Sequence, residues 1–307
     1  MKNNNEIRFH RSFENLLGKV KTLISVNFNV IDKFERIKKG DITYKEIMIF
    51  NENGYLIEKM WGLIEKRDGS FGHCTYSYDN KENMIDLKSY NSDGSLKYQD
   101  TYMYDYKGNM IEENQSFGRV KTTYKYNDNG DKIEGECFSN GFMKFTWKFY
   151  YDDKCNLIEE YICIPFPKTD RKNIYKYDSN GKMIEAIHYK YDGDLDFKET
   201  SKWCNKGNLI ERNINYSDGS SKKNTYKYDD KGRKIEENSF STNGNIETRK
   251  FYDKGNEIES NHYNSDGSLD YKNTYKYDYD ATGNWIKIII FENGIAKIIV
   301  EREIEYY

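Results

Sequence analysis

The chain has 307 residues, long enough for two ordinary domains, and its 48 Lys+Arg against 51 Asp+Glu leave a formal net charge of -3. Only 36% of residues are hydrophobic and mean hydropathy is -0.99, while Tyr contributes 29 residues and Phe 16. These values exclude a large aliphatic core and a transmembrane helix, and the sign-interleaved charge offers no basic stripe to nucleic acid.

Residues 1–40 stand outside any repeat. Met1 to Arg11 reads as a polar, basic arm, Ser12 as the cap of a short helical turn through Leu17, and Val20 to Ile31 as a strand capping the first repeat. The opening MKNNNEIRFHRSF lacks the apolar stretch of a secretory signal.

One unit recurs over residues 41–284: aromatic, Asp, two variable residues, Gly, Asn, one variable residue, Ile, Glu. With the Gly as origin, copies sit at Gly54, Glu82, Gly108, Gly130, Cys155, Gly181, Gly207, Gly232, Gly255 and Gly283. Three residues on stands Ile every time: Ile57, Ile85, Ile111, Ile133, Ile158, Ile184, Ile210, Ile235, Ile258 and Ile286. Four residues before the origin stands an aromatic, as in Tyr104, Tyr177, Trp203 and Tyr228. A second turn follows in each unit, AspGly at Asp68, Asp93, Asp192, Asp218 and Asp266, or AsnGly at Asn140, Asn243 and Asn293. Regular turn chemistry between Tyr-, Ile- and Thr-rich runs predicts hairpins.

The fold expected is therefore all-β: tandem antiparallel β-hairpin repeats, about ten units of about 25 residues, forming an extended, curled or spiralling β-meander sheet with N- and C-terminal capping strands. A bulged first turn would set Tyr228 opposite Lys234, and at the second turn Tyr90 opposite Leu96 and Tyr263 opposite Leu269. A two-residue turn would instead set Tyr228 opposite Ile235 and Lys227 opposite Glu236, the latter an attractive pair. One irregular copy replaces its second turn with the loop holding Pro165 and Pro167. Residues 285–307 form a last hairpin around Asn293 and Gly294, the C-terminal cap of a single continuous domain.

In the segments TYMYDYKGN, IYKYDSNGK and TYKYDDKGR the chain resembles the YD or RHS repeat family, above all the short YD-repeat-like proteins of Bacteroidetes. Gly283, Asn284 and Trp285, with the tail from Arg302 to Tyr307, match their GNW segment and REIEYY-type end. The resemblance implies a spiralling hairpin ribbon at cell surfaces or in secreted proteins. Larger members enclose a toxin cargo, for which this chain is too short.

Trp61, Trp147, Trp203 and Trp285 are the candidate ligand-binding residues, since sugar rings stack on flat aromatic faces; Trp203 replaces a framework Tyr and reads as packing. The acidic residues after each Ile, from Glu58 to Glu259, read as a solvated row paired with Lys. Turn Asp residues lack the dense oxygen clusters of calcium loops. His188 and His262 hold equivalent places, expected to be exposed on a strand, without Cys or His at metal-ligand spacing. Five Cys without a CxxC speak against a zinc site or a full disulfide framework and point to a reducing compartment or to free buried Cys, against the surface location that the resemblance implies.

No nucleophile elbow, phosphate loop or zincin helix is present, and no catalytic residue, metal or cofactor is expected. The reading is a non-catalytic binding or scaffold protein without membrane insertion, engaging a protein partner at the bacterial cell surface or envelope through a sheet face or an unpaired edge strand. One alternative is a carbohydrate-binding module using Trp and Tyr platforms. Another is an enzyme with a carboxylate site in the sheet's concave face. A removed signal would place the chain at the cell surface or outside, and a native Met1 in the cytoplasm.

Overall fold

The computed structural model describes residues 16–33, 36–63, 71–165 and 168–307. The arm to Arg11, the Ser12 cap, the AspGly turn at 68 to 69 and Pro167 lie outside these residues; Pro165 ends a strand.

The described residues are strand and turn throughout. The strands are β1 (Val20–Lys33), β2 (Arg36–Phe50), β3 (Leu56–Leu63), β4 (Phe71–Tyr78), β5 (Met84–Tyr90), β6 (Leu96–Tyr104), β7 (Met110–Gln115) and β8 (Val120–Tyr126). There follow β9 (Lys132–Ser139), β10 (Phe142–Tyr151), β11 (Leu157–Pro165), β12 (Lys168–Tyr177), β13 (Met183–Tyr189), β14 (Leu195–Trp203) and β15 (Leu209–Tyr216). The last are β16 (Ser221–Tyr228), β17 (Lys234–Phe240), β18 (Ile246–Asp253), β19 (Asn256–Tyr263), β20 (Leu269–Tyr279), β21 (Trp285–Glu292) and β22 (Ile295–Tyr306). The chain gathers into two compact units, residues 1–123 with 275–307, and residues 124–274.

The first turn is built by the residue three before its Gly, an Asp in most copies and Asn51, Asn127 or Cys204 in others. At Asp79 the backbone N–H donates to the Asn83 carbonyl (2.9 Å) while Glu82 N–H returns to the Asp79 carbonyl (3.0 Å). The Asp79 carboxylate then accepts from the N–H groups of Lys81 (2.9 Å) and Asn83 (2.8 Å), and Asp105 and Asp229 repeat the arrangement. The residue three after the Asp must be left-handed: Gly232 has φ 78°, and Glu82 and Cys155, which replace the Gly, have φ 67° and 60°.

Beside the turn, Tyr228 faces Lys234, and at the second turns Tyr90 faces Leu96 and Tyr263 faces Leu269, as the bulged reading requires. One pair further in the register shifts, so that Lys227 faces Glu236 and Ile235 is left without a cross-strand partner. The ion pair of the competing register therefore forms as well. The same offset recurs at Ile57, Ile85, Ile111, Ile158, Ile184, Ile210 and Ile258. The repeated Ile is thus a β-bulge residue, and Ile85, Ile158, Ile184, Ile210, Ile235 and Ile258 share one depth, 37 to 40% exposed.

The framework aromatics bind each hairpin to the one before it. Tyr78 donates its hydroxyl to the Leu56 carbonyl (2.8 Å), Tyr104 to Met84 (2.8 Å), Tyr151 to Lys132 (2.7 Å), Tyr177 to Leu157 (2.9 Å) and Tyr228 to Leu209 (2.8 Å). Trp203 does the same through Nε1 to Met183 (2.8 Å). The rings cover apolar surface while their polar tips fill carbonyl positions that a bulged ladder leaves open.

The expected open meander, solenoid or spiral with capped ends is corrected by the pairing of its outermost strands. All 22 strands belong to one sheet, and within the first unit β1 pairs antiparallel with both β2 and β22, so the two strands expected to cap opposite ends lie against each other in the ladder. The physical reason is that an open sheet exposes two rows of unpaired N–H and C=O groups, and closure satisfies each row with the other. The unpaired edge expected to dock a partner is consumed in this way. In the first unit Leu16, Val20, Leu23, Met48, Phe50 and Leu56 form a small apolar core beside this junction.

Candidate functional site

Strand alternation divides the repeat's residues between two faces. In the second unit one face carries the acidic row, each member held by lysines: Glu185 by Lys176 and Lys198 (both 2.6 Å), Glu211 by Lys202 (2.7 Å) and Lys223 (2.9 Å), Glu236 by Lys227 (2.7 Å). This face is nearly the same in copy after copy. The opposite face carries the residues five and seven places after the turn Gly, and these differ from copy to copy: Gly135, Glu160, Ala186, Arg212 and Glu237, or Cys137, Ile162, His188, Ile214 and Ser239.

On that variable face a polar and aromatic cluster converges from β11 to β15. Glu160, Asn173, His188, Phe197 and Tyr216 are successive cross-strand partners in a single row. Asn173 Nδ2 donates to Glu160 Oε2 (2.9 Å), and Tyr175 donates its hydroxyl to the same oxygen (3.1 Å). With its amide nitrogen thus engaged, Asn173 turns Oδ1 to His188 Nδ1 at 2.8 Å, so Nδ1 carries the proton and Nε2 keeps its lone pair. His188 stacks on Phe197 with centroids 4.0 Å apart, and the Tyr175 ring meets its edge at 6.3 Å. Beside this row Glu199, only 6% exposed, pairs with Arg212 at 2.6 Å.

The electrostatics follow from burial. Desolvation lowers the His188 pKa against the opposing pull of Glu199, Asp196 and Glu160, which keeps the ring neutral at pH 7. Burial, then Glu160, pushes the Tyr175 hydroxyl well above its ordinary range, so it donates and does not ionise. The Arg212 guanidinium is held charged chiefly by its hydrogen bond to Glu199. The cluster therefore presents a neutral imidazole acceptor, two carboxylates and a guanidinium among aromatic rings. His188 is half-buried here and not exposed as expected, and its equivalent His262 stacks on Tyr271 at 4.1 Å.

The four tryptophans do not gather at this cluster. Trp61 lies across Gly72 on the neighbouring strand, where an added Cβ would collide with the ring, and Trp147 lies across Gly135 in the same way. Trp203 is fixed by its bond to Met183 and covered by the Lys182 ammonium at 5.0 Å from the ring centre. The Arg302 guanidinium sits 3.4 Å over Trp285. Each indole thus packs against a named neighbour. Cys74, Cys137, Cys155, Cys163 and Cys204 are all free thiols. Among the described residues no group of three or more His, Cys, Asp or Glu is placed to hold a metal, and no helix is long and apolar enough to cross a membrane.

No protein-family model matches the chain, and no curated protein matches it. Solved structures similar to it include TcdB2-TccC3, at 11% identity and a TM-score of 0.30, covering 81% of this chain and 20% of that one. This chain thus spans about a fifth of the TcdB2-TccC3 chain. A porin-like protein from Bacteroides uniformis ATCC 8492 is similar at 10% identity and a TM-score of 0.35, covering 94% of this chain and 99% of that one. Another, from Bacteroides vulgatus ATCC 8482, is similar at 10% identity and a TM-score of 0.27, covering 78% and 94%.

Proposed function

We propose that this chain is a non-catalytic binding protein of YD-repeat-like design, holding a protein partner at a bacterial cell envelope through the variable face of its sheet. The observation that carries this reading is the division of labour between faces: residues shared by the copies are spent on turns, staples and self-paired Glu–Lys rows, whereas residues that vary from copy to copy meet around His188 and Glu199. A fold needs the first kind in every copy. It has no structural need for the second to converge.

Both faces of the second unit carry charged side chains, Glu185 with Lys198 on one and Glu199 with Arg212 on the other. A lipid-facing band has no place for such pairs, which supports the reading without membrane insertion. The test sets Arg212→Ala and Glu199→Gln against Lys202→Ala and Lys227→Ala in partner capture, run beside a glycan array. Variable-face changes should weaken capture about tenfold, the scale of an interface hot spot, and constant-face changes should leave it unaltered. Equal sensitivity of both faces overturns the assignment, and glycan binding without protein capture transfers it to carbohydrate.

A second reading, acid–base chemistry, is favoured by the neutral His188 beside the buried Glu199. It requires a turnover that His188→Gln abolishes while capture persists.

A further inference from the structure

The junction that closes the sheet has the geometry of the repeat itself. Inside the chain, Tyr228 faces Lys234, Lys227 faces Glu236, and Asp229 N–H donates to the Arg233 carbonyl at 2.9 Å. At the junction Tyr306 faces Val20, Glu305 faces Thr22, and Tyr307 N–H donates to the Lys19 carbonyl at 2.9 Å. Gly18, at φ 76°, stands where Gly232 stands at φ 78°. Tyr306 is then the framework aromatic, Gly18 the turn Gly and Lys21 the bulge residue of one more repeat, whose first strand is the C-terminus and whose second is the N-terminus. The last complete turn clamps it: Leu17 N–H donates to Asn284 Oδ1 (2.6 Å), and Asn284 Nδ2 donates to the Leu17 carbonyl (2.8 Å) and the Tyr306 hydroxyl (2.7 Å).

At every internal junction of this kind the two strands are joined by their own turn. Here no turn joins them, since residues 18–20 and 306–307 lie far apart along the chain, so the contacts that hold β22 against β1 are the same whether β22 comes from the same copy or another. Only its tether differs. The tether is the two-residue loop Asn293–Gly294, with φ 50° and 80°, and a short hinge of this kind is where exchange between copies is accommodated.

We infer that the split repeat is a strand-exchange interface whose partner is a second copy of this chain: β22 swings out about Asn293–Gly294 and completes the eleventh repeat of its neighbour, which returns its own. The dimer buries nothing new except at the hinge. Its population is therefore set by effective concentration against the tethered arrangement.

Full-length chains carrying two different tags, mixed at high concentration, diluted and captured through one tag, test this directly. Co-capture should rise with mixing concentration and survive dilution. Gly294→Pro, which stiffens the hinge into an extended path, should raise it about tenfold. Oxidised Val20→Cys with Tyr306→Cys, residues that face each other across the junction, should abolish it, the lock being verified by thiol count. Co-capture undiminished in the locked chain shows association through another surface and overturns the inference. So does its absence from both wild type and Gly294→Pro at every concentration while circular dichroism reports an intact sheet.

Discussion

Lys202, Lys223 and Asn213 all donate to the Glu211 carboxylate, at 2.7, 2.9 and 3.0 Å, and hold its pKa down to about 2. Because an unfolded glutamate titrates near about 4.3, ionised Glu211 stabilises the fold above that value, and its contribution fades as pH falls toward 2. Glu211→Gln is therefore expected to flatten the loss of stability between about pH 4 and pH 2, read from urea midpoints at successive pH values; an unchanged slope refutes the pairing. His188 has the opposite chemistry but the same sign. Its folded pKa lies below the unfolded value, so protonation below about pH 6.5 favours the unfolded chain. A His188→Gln chain should lose this dependence and keep its stability from pH 7 down to pH 5.

At the scale of the hairpin, turn and bulge decide stability separately. Cys155 is exposed at φ 60°, so Cys155→Gly should raise stability by about 1 kcal/mol by removing a strained left-handed side chain. Glu82 has a similar φ of 67° but accepts from Asn53 Nδ2 (2.9 Å) and the Tyr55 hydroxyl (2.7 Å), so Glu82→Gly should gain nothing. Differential scanning calorimetry of the two variants separates strain from contact. Tyr177→Phe removes only the hydroxyl that caps the Leu157 carbonyl and should cost about 1 kcal/mol with an unchanged denaturant slope. Part of this was legible in the letters: the Asp-to-Gly spacing favours the bulged turn that sets Tyr228 opposite Lys234, but it left a two-residue turn open as well. The register shift at the repeated Ile was not, since an invariant Ile looks the same whether it fills a core or stands unpaired in the ladder. His188 was visible as an oddity, yet which face it occupies depends on that shift, because one displaced residue exchanges the two sides of everything beyond it.

For the molecule as a whole, closure was the feature hidden in the sequence. The N-terminal LLGKVKT and the C-terminal REIEYY each look like a cap, because half a repeat seen alone carries neither a full turn nor a full strand pair. Deleting residues 295–307 should expose β1 and β21 as two sticky edges, seen as early elution in size-exclusion chromatography while a point change such as Tyr177→Phe stays monodisperse. The split repeat also bears on how such a chain can lengthen. Since its ends meet with the offset of any internal junction, duplicating or losing one whole 25-residue cassette leaves them still able to mate, whereas gaining a lone strand would bring them together pointing the same way. Growth of this architecture is therefore quantised in hairpins, and the number of strands can change two at a time without any change to the β1–β22 seal.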